Sequence, residues 1–316
     1  MKDHKNKGEE GPKNQARRRF LKSLFGVGSA LETSSEAKTP TKEKGELTTF
    51  YWADLARGNI GFPSGLSVPS TSPGSVMKIV TAACLLEEGA FNPNETIECR
   101  GTTKVGGSSY RCQRPHGNLT IEKALGFSCN CFFVKATRNV GPLSIIEYAR
   151  LFGLDKPVVG FKPGKFPTKP ISQTADYALG LSDDLQTNAL QLLRLATMIA
   201  LHGEVPALRN AGMSEEGDKP FTVTMKSSTF ERIKRGMILS AQEGTAQGID
   251  PEGKLKIAAK TGTVPHGKKF ESWVIGFFPH EKPRHAFSLF ARAGTSHDSA
   301  VPEAHKQLYR VEWPTT

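Results

Sequence analysis

A mixed α/β fold is predicted by two kinds of apolar pattern and by the turn residues between them. Ile79-Val80-Thr81-Ala82-Ala83-Cys84-Leu85-Leu86 is apolar almost all round until Gly89, which reads as a buried helix. Leu255-Lys256-Ile257-Ala258-Ala259 alternates as a half-buried strand does, and Trp273-Val274-Ile275-Gly276-Phe277-Phe278 reads as the next strand of a hairpin. Taken in chain order, Pro73-Gly74 turns the backbone into Ser75, which falls in the first turn of the buried helix. A second helix begins near Ile121, and the Pro- and Gly-rich stretch from Lys156 to Pro170 is a loop, not a domain linker. The 270 residues beyond position 46 can bury one substantial core. The expected organisation is therefore a basic tail over 1–46 and one domain over 47–316.

Ser75-Val76-Met77-Lys78 sets a hydroxyl and an amine three residues apart, on one helical face about one turn from each other. A serine alcohol becomes a nucleophile when a base takes its proton, and a lysine can do so only in its neutral form. Desolvation in an apolar helix and a second cation nearby both favour that form. The Ser75 N–H, at a helix N-terminus, can face a developing oxyanion. Alone the pattern says little, because Ser35-Glu36-Ala37-Lys38 also fits it in a polar stretch with no apolar face. Two further segments add weight. Ser128-Cys129-Asn130 is small and polar beside Phe132, Phe133 and Val134, and Lys260-Thr261-Gly262-Thr263 occurs once. Glycine inside a strand marks close approach by another backbone, as a peptide substrate along a sheet edge would require.

In this order the three segments resemble the S-x-x-K, S-D-N and K-T-G signature of the penicillin-binding proteins and class A β-lactamases. Their separations, 53 and 132 residues, suit a transpeptidase of that family. Cys99-Arg100-Gly101, Cys112, His116-Gly117, Ala124 and Phe132-Phe133 follow the family's order, as do Gly244-Thr245-Ala246 and Ala300 to Ala304. Asp184 to Gly203 is similar to the family's threonine-led helix, with Asn188 where proline is usual. The resemblance spans roughly residues 47 to 312 and implies a β-lactamase/transpeptidase-like architecture. An antiparallel sheet, with strands near 48–54, 255–264, 271–279 and 285–293, would be flanked by helices. A mostly helical lobe over about 90–220 would carry Ser128 and Asn130, with the active site between the two.

Residue roles follow from the same resemblance. Ser75 would be the nucleophile and Lys78 its base, Ser128 would relay a proton to the leaving group, and Asn130 would hold the substrate amide and the lysine. Lys260 with the Thr261 and Thr263 hydroxyls would bind the substrate's terminal carboxylate beside Gly262, and the backbone N–H groups of Ser75 and Thr263 would form the oxyanion hole. The implied activity is cross-linking of peptidoglycan stem peptides ending in D-Ala-D-Ala through an acyl-enzyme, inhibited by β-lactams and needing no cofactor. A D,D-carboxypeptidase, a β-lactamase and a noncatalytic β-lactam sensor or envelope scaffold are the alternatives. Asn130 departs from the class D pattern, and no E-x-x-L-N segment supplies a class A deacylating glutamate. Val264-Pro265 replaces the small residue and glutamine usual after K-T-G. With no long module ahead of the catalytic region, glycan polymerisation is not expected, which leaves a glycosyltransferase as a partner.

The net charge is +11, of which the 11 basic and 7 acidic side chains of residues 1–46 contribute +4. Such a balance favours anionic envelope polymers or nonspecific nucleic-acid contact, but no nucleic-acid motif is present. Arg17-Arg18-Arg19-Phe20-Leu21-Lys22 followed by Ser23 to Leu31 resembles a twin-arginine export signal, too short to span a bilayer. Export to the periplasm or cell envelope is the expectation. Among the five cysteines, Cys99 and Cys112 flank a short polar loop and are the expected disulfide pair; Cys84 lies in the buried helix, and Cys129 and Cys131 are too close to pair. No metal site is expected, because C-x-x-C and H-E-x-x-H are absent and His280, Glu281 and His285 have the wrong spacing, reading as loop residues at a strand turn.

Overall fold

A computed structural model describes residues 47–61, 68–210 and 218–313. The arginine-rich segment, the run from Ser23 to Leu31 and the Ser35–Lys38 match all lie outside these residues. Strand β1 (Leu47–Asp54) is followed by β2 (Asn59–Gly61), and a short strand, β3 (Arg209–Asn210), comes much later. The C-terminal third adds β4 (Ala258–His266), β5 (Lys269–Phe278) and β6 (His285–Arg292). These six form one sheet in the order β3-β2-β1-β6-β5-β4, antiparallel except where β3 runs parallel to β2. β4, which carries Lys260-Thr261-Gly262-Thr263, is thus an edge strand, a position that tolerates Pro265.

Both faces of the sheet are covered, and this explains why β5 reads as an unbroken apolar run. Trp273, Ile275 and Phe277 join one core, while Val274 and Phe278 on the alternate face join the other. The larger core also holds α1 (Lys78–Glu87), α2 (Ile121–Gly126), α3 (Asn130–Ala136) and α4 (Ala189–Ala200). α4 is buried along its whole length. Its Asn188 cap explains the departure from proline: Asn188 Oδ1 accepts from Gln191 N–H and the Gln191 side chain accepts from Asn188 N–H, both at 2.9 Å, a reciprocal capping box. The smaller core lies under α6 (Val301–Leu308), with Ala241 from α5 (Ser227–Gln242).

The architecture agrees with the antiparallel sheet flanked by helices that the sequence predicts, with three local differences. The strand expected from 255 begins at Ala258, because Lys256 adopts a left-handed φ of 54° that breaks the alternation. Residues 97–119, expected in a helical lobe, form two ribbons: Ile97–Cys99 with Gly117–Leu119, and Thr102–Val105 with Ser108–Arg111. His285 opens β6 and is buried, as the strand expected near 285–293 requires and unlike its reading as a loop residue.

The expected Cys99–Cys112 bridge is not formed. The two sulfurs lie 3.7 Å apart, well beyond a bond of about 2.0 Å, and all five thiols are free. Both sulfurs also face other polarisable neighbours, Cys112 lying 3.7 Å from the sulfurs of Cys129 and Cys131.

Gly262 is where β4 meets the turn before α1, and the backbone it admits is the chain's own. A Cβ there would sit 2.5 Å from the Pro73 carbonyl oxygen and 3.1 Å from Val76 Cγ2. Gly262→Ala is expected to destabilise the protein by about 1–3 kcal/mol through overpacking. Gly141→Ala, where a Cβ would meet nothing within 4 Å, should stay within about 1 kcal/mol of wild type. Chemical-denaturation midpoints of the two variants check this; equal values would remove the close approach as the reason for glycine.

Candidate active site

Ser75 lies in a 3-10 turn, Gly74–Met77, that runs directly into α1 at Lys78. Three hydrogen bonds from distant parts of the chain hold this turn. Gly74 N–H donates to Gly180 O at 3.0 Å, Ser72 Oγ donates to Ser182 O at 3.1 Å, and the Trp273 indole Nε1 donates to Ser72 O at 3.1 Å. Gly180 has a φ of 66°, and a Cβ on it would fall 2.1 Å from Gly74 O, so both conformation and contact require glycine.

Lys78 is fully buried, and its Nζ sits among four oxygens: Ser75 Oγ at 3.0 Å, Ser128 Oγ at 3.1 Å, and Ser128 O and Asn130 Oδ1 both at 2.6 Å. The Asn130 amide is oriented by its other end, since Nδ2 donates to Arg111 O at 2.7 Å. The Ser128 carbonyl and Asn130 Oδ1 can only accept, so they take two N–H bonds of the lysine. A neutral amine has two N–H bonds and one lone pair, and the lone pair is then left for a serine hydroxyl. Burial lowers the Lys78 pKa to about 8, against the opposing charges of Cys112, Cys129 and Cys131. The buried lysine can therefore take a proton from Ser75 near neutral pH.

Ser128 joins the two buried lysines. Its Oγ accepts from Lys78 Nζ at 3.1 Å and from Lys260 Nζ at 3.0 Å, and its backbone is held at a left-handed φ of 52°, strained for a residue with a Cβ. Burial and the nearby Lys78 hold Lys260 well below the usual lysine range. The role expected of Lys260 is thereby modified. Lys260 turns inward, donating to Ser128 Oγ and to Thr261 O at 2.8 Å, and does not line the cleft as a carboxylate ligand would.

The cleft, about 380 Å³, opens over Ser75, Ser128, Asn130, Thr261, Gly262 and Thr263, bringing five of the seven predicted side-chain positions and the glycine to one surface. Both remaining positions, Lys78 and Lys260, are completely buried. Hydroxyls not singled out in sequence complete the wall: Thr261 Oγ1 donates to Thr245 Oγ1 at 2.7 Å, and Thr263 Oγ1 donates to Ser296 Oγ at 3.1 Å. Thr245 lies in the Gly244-Thr245-Ala246 segment, whereas Ser296 carries no sequence signal. Gly74 packs against the Thr263 backbone, a Cβ on it falling 3.0 Å from Thr263 O and 3.1 Å from Thr263 N. That contact sets the turn of Ser75 beside the Thr263 peptide. Glu243 also lines the cleft, so a carboxylate is present where none was expected, although its side chain is exposed.

Cys129, between Ser128 and Asn130, is wholly buried and belongs to a cluster with Cys99, Cys112 and His116 whose ligand atoms all lie within 4.8 Å of one another. A set of side chains with metal-ligand spacing is thus present where the short sequence motifs offered none. Two ribbons fold back so that residues 13, 4 and 13 apart converge, a spacing outside the short motifs that sequence reading relies on. Among the described residues no helix is long and apolar enough to cross a membrane.

Comparison with known proteins agrees with this geometry. The chain is 28% identical over 270 residues to penicillin-binding protein PbpB of Mycolicibacterium smegmatis, covering 74% of this chain and 42% of that protein. It is 27% identical over 257 residues to the peptidoglycan D,D-transpeptidase PbpA of the same organism, covering 72% and 51%. The chain thus spans about half the length, or less, of these relatives. Its fold matches a chain of a peptidoglycan synthase complex with a TM-score of 0.71 at 22% identity, covering 85% of this chain and 56% of that one. The family model for the penicillin binding protein transpeptidase domain matches residues 31–309. A family match over most of the chain, which takes in Ser75, Ser128 and Lys260, makes this chain a member of the penicillin-binding protein transpeptidase family.

Proposed function

We propose that the chain is a serine D,D-transpeptidase that cross-links peptidoglycan stem peptides through an acyl-enzyme on Ser75. One observation carries the reading: Lys78 Nζ lies 3.0 Å from Ser75 Oγ while two acceptor-only groups occupy its N–H bonds. Ser75 Oγ attacks the carbonyl carbon of the penultimate D-alanine as its proton passes to Lys78 Nζ. Negative charge on the carbonyl oxygen is met by the N–H groups of Ser75 and Thr263. Ser128 Oγ, within 3.1 Å of both lysines, returns a proton to the amide nitrogen as the C–N bond breaks and terminal D-alanine departs. An amine of a neighbouring stem then attacks the ester, releases Ser75 and completes the cross-link. The Thr261 and Thr263 hydroxyls are the carboxylate-binding groups, and Lys260 acts through Ser128.

The same reading places the enzyme outside the cytoplasmic membrane, with the basic segment before residue 47 as an export signal and 47–316 as the catalytic unit. A glycosyltransferase that makes the glycan strands is the proposed partner, in keeping with the synthase complex whose chain shares this fold. β-Lactams, which present a carboxylate and a strained amide, act as inhibitors. Glu243 gives the β-lactamase alternative a specific handle, because hydrolysis of the acyl-enzyme needs an activated water.

Labelled penicillin is expected to attach at about one equivalent per chain, and Ser75→Ala should abolish it. A D-Ala-D-Ala muropeptide should release D-alanine and give cross-linked product by mass analysis. Rapid catalytic loss of penicillin, slowed in Glu243→Gln, would establish the β-lactamase instead; a stable adduct without D-alanine release would establish the sensor or scaffold.

Acylation should also follow the Lys78 proton. With a pKa of about 8, the neutral base is depleted below that pH, so the acylation rate should fall about tenfold per pH unit on the acid side and level off above it. Lys78→Arg keeps a cation but cannot lose its proton, and should slow acylation by at least about 10²-fold. A flat profile from pH 6 to 9, or near-normal acylation in Lys78→Arg, would remove Lys78 as the base.

A further inference from the structure

The cluster behind Ser128-Cys129-Asn130 has the dimensions of a metal site. Cys99 ends the ribbon strand Ile97–Cys99, Cys112 directly follows Ser108–Arg111, His116 directly precedes Gly117–Leu119, and Cys129 is the N-cap of α3. Cys99 Sγ lies 3.7 Å from Cys112 Sγ and 3.5 Å from His116 Nδ1, and Cys112 Sγ lies 3.7 Å from Cys129 Sγ. A tetrahedral zinc with Zn–S near 2.3 Å and Zn–N near 2.0–2.1 Å requires ligand separations of about 3.8 Å between sulfurs and about 3.5 Å between sulfur and nitrogen. The measured edges agree with both values.

Sulfurs packed merely to fill a core could also stand 3.7 Å apart, but they would have no need of aligned N–H donors. Here Gly101 N–H donates to Cys99 Sγ at 3.4 Å, Phe132 N–H donates to Cys129 Sγ at 3.3 Å, and the Cys131 backbone hydrogen-bonds the Cys112 sulfur. Donors aimed at three sulfurs stabilise thiolates, the form that binds metal. The His116 ring is stacked on Phe127 at an interplanar angle of 12°, which orients the imidazole. The backbones of the ligands are also tied together, His116 N–H donating to Cys99 O at 3.1 Å.

We propose that Cys99, Cys112, His116 and Cys129 bind one zinc ion as a closed Cys₃His structural site. Three thiolates and an imidazole suit zinc in tetrahedral geometry, and a full set of four protein ligands leaves no position for a reacting water. On binding, three S–H protons pass to solvent as three Zn–S bonds form, and the imidazole donates its Nδ1 lone pair. Cys131, 3.7 Å from Cys112, stands outside this set. The metal would act as a positioning centre, because Cys129 sits between Ser128 and Asn130 and Arg111, whose carbonyl orients Asn130, immediately precedes Cys112. Zinc binding rests on the cluster alone; only its effect on acylation rests on the proposed function.

The full chain, purified under reducing conditions and stripped of metal, is titrated with Co²⁺ and with Zn²⁺. One Co²⁺ per chain should bind with thiolate charge-transfer absorption and intense tetrahedral d–d bands, displaced by one Zn²⁺, and Zn²⁺ should raise the thermal midpoint. Cys84→Ser, outside the cluster, should keep the wild-type cobalt spectrum and zinc-dependent rise. Cys99→Ser and His116→Ala should lose or distort the cobalt spectrum and lose the zinc-dependent rise in thermal midpoint. If either variant misfolds, the metal-stripped wild-type protein still decides the matter. No tetrahedral cobalt spectrum, an unchanged spectrum in Cys99→Ser, or a Cys99–Cys112 disulfide in metal-free protein recovered from its own compartment would overturn the proposal. None of these readouts uses acylation, so an inactive but zinc-loaded protein would leave the metal site standing and defeat only the transpeptidase reading.

Discussion

Burying a lysine amine is costly unless every polar contact is arranged in advance, and the site is built around meeting that demand at Lys78. The Ser128 carbonyl, the Asn130 amide and the Ser75 hydroxyl must all converge on one nitrogen. They come from two segments more than fifty residues apart, so the cleft cannot form until both lobes are packed. The left-handed backbone of Ser128 follows from the same constraint, since both its carbonyl and its hydroxyl point at Lys78. Its strain, about 1–3 kcal/mol for such a conformation, is offset by contacts made elsewhere in the fold.

A second buried lysine stands near the first, joined to it by one hydroxyl. Lys260 is buried against Ser128 and loses charge more readily because Lys78 is near. Two ammonium ions in this space would repel each other at low dielectric, and the Ser128 hydroxyl stands between the two amines. Among the described residues Ser128 Oγ is the side-chain atom that hydrogen-bonds both amines, which makes its position as exacting as that of Ser75.

Much of this was legible from residue order, because the three motifs lie on locally determined elements: a buried helix, a turn before α3 and a strand. Ser75 and Lys78 were readable as a pair since helical spacing alone brings them together. The direction of Lys260 was not, as it depends on which face of an edge strand packs inward. Nor was the cysteine cluster, whose members meet only after two ribbons fold back; periodicity has no means of registering ribbons built from three- and four-residue strands. Ser296 was silent for a similar reason, reaching Thr263 from a turn after β6. Asn188 shows the opposite case: an unexpected residue in sequence that the capping box explains by local geometry alone.

The indole of Trp273, hydrogen-bonded to Ser72, gives the serine turn an unusual dependence on time as well as space. Two hundred and one residues separate the two partners, and β1 pairs with β6 at the far end of the chain. During synthesis, which proceeds from the N-terminus at about 5–20 residues per second, Ser75, Lys78, Ser128 and Asn130 all leave the ribosome well before β5 exists to hold the turn. A nascent chain arrested before Trp273 would carry Ser75, Lys78, Ser128 and Asn130, yet lack the indole that holds the Ser72 carbonyl beside them. The finished cleft is therefore a late event in the life of each molecule, acquired when the sheet closes and not when the residues that line it are made.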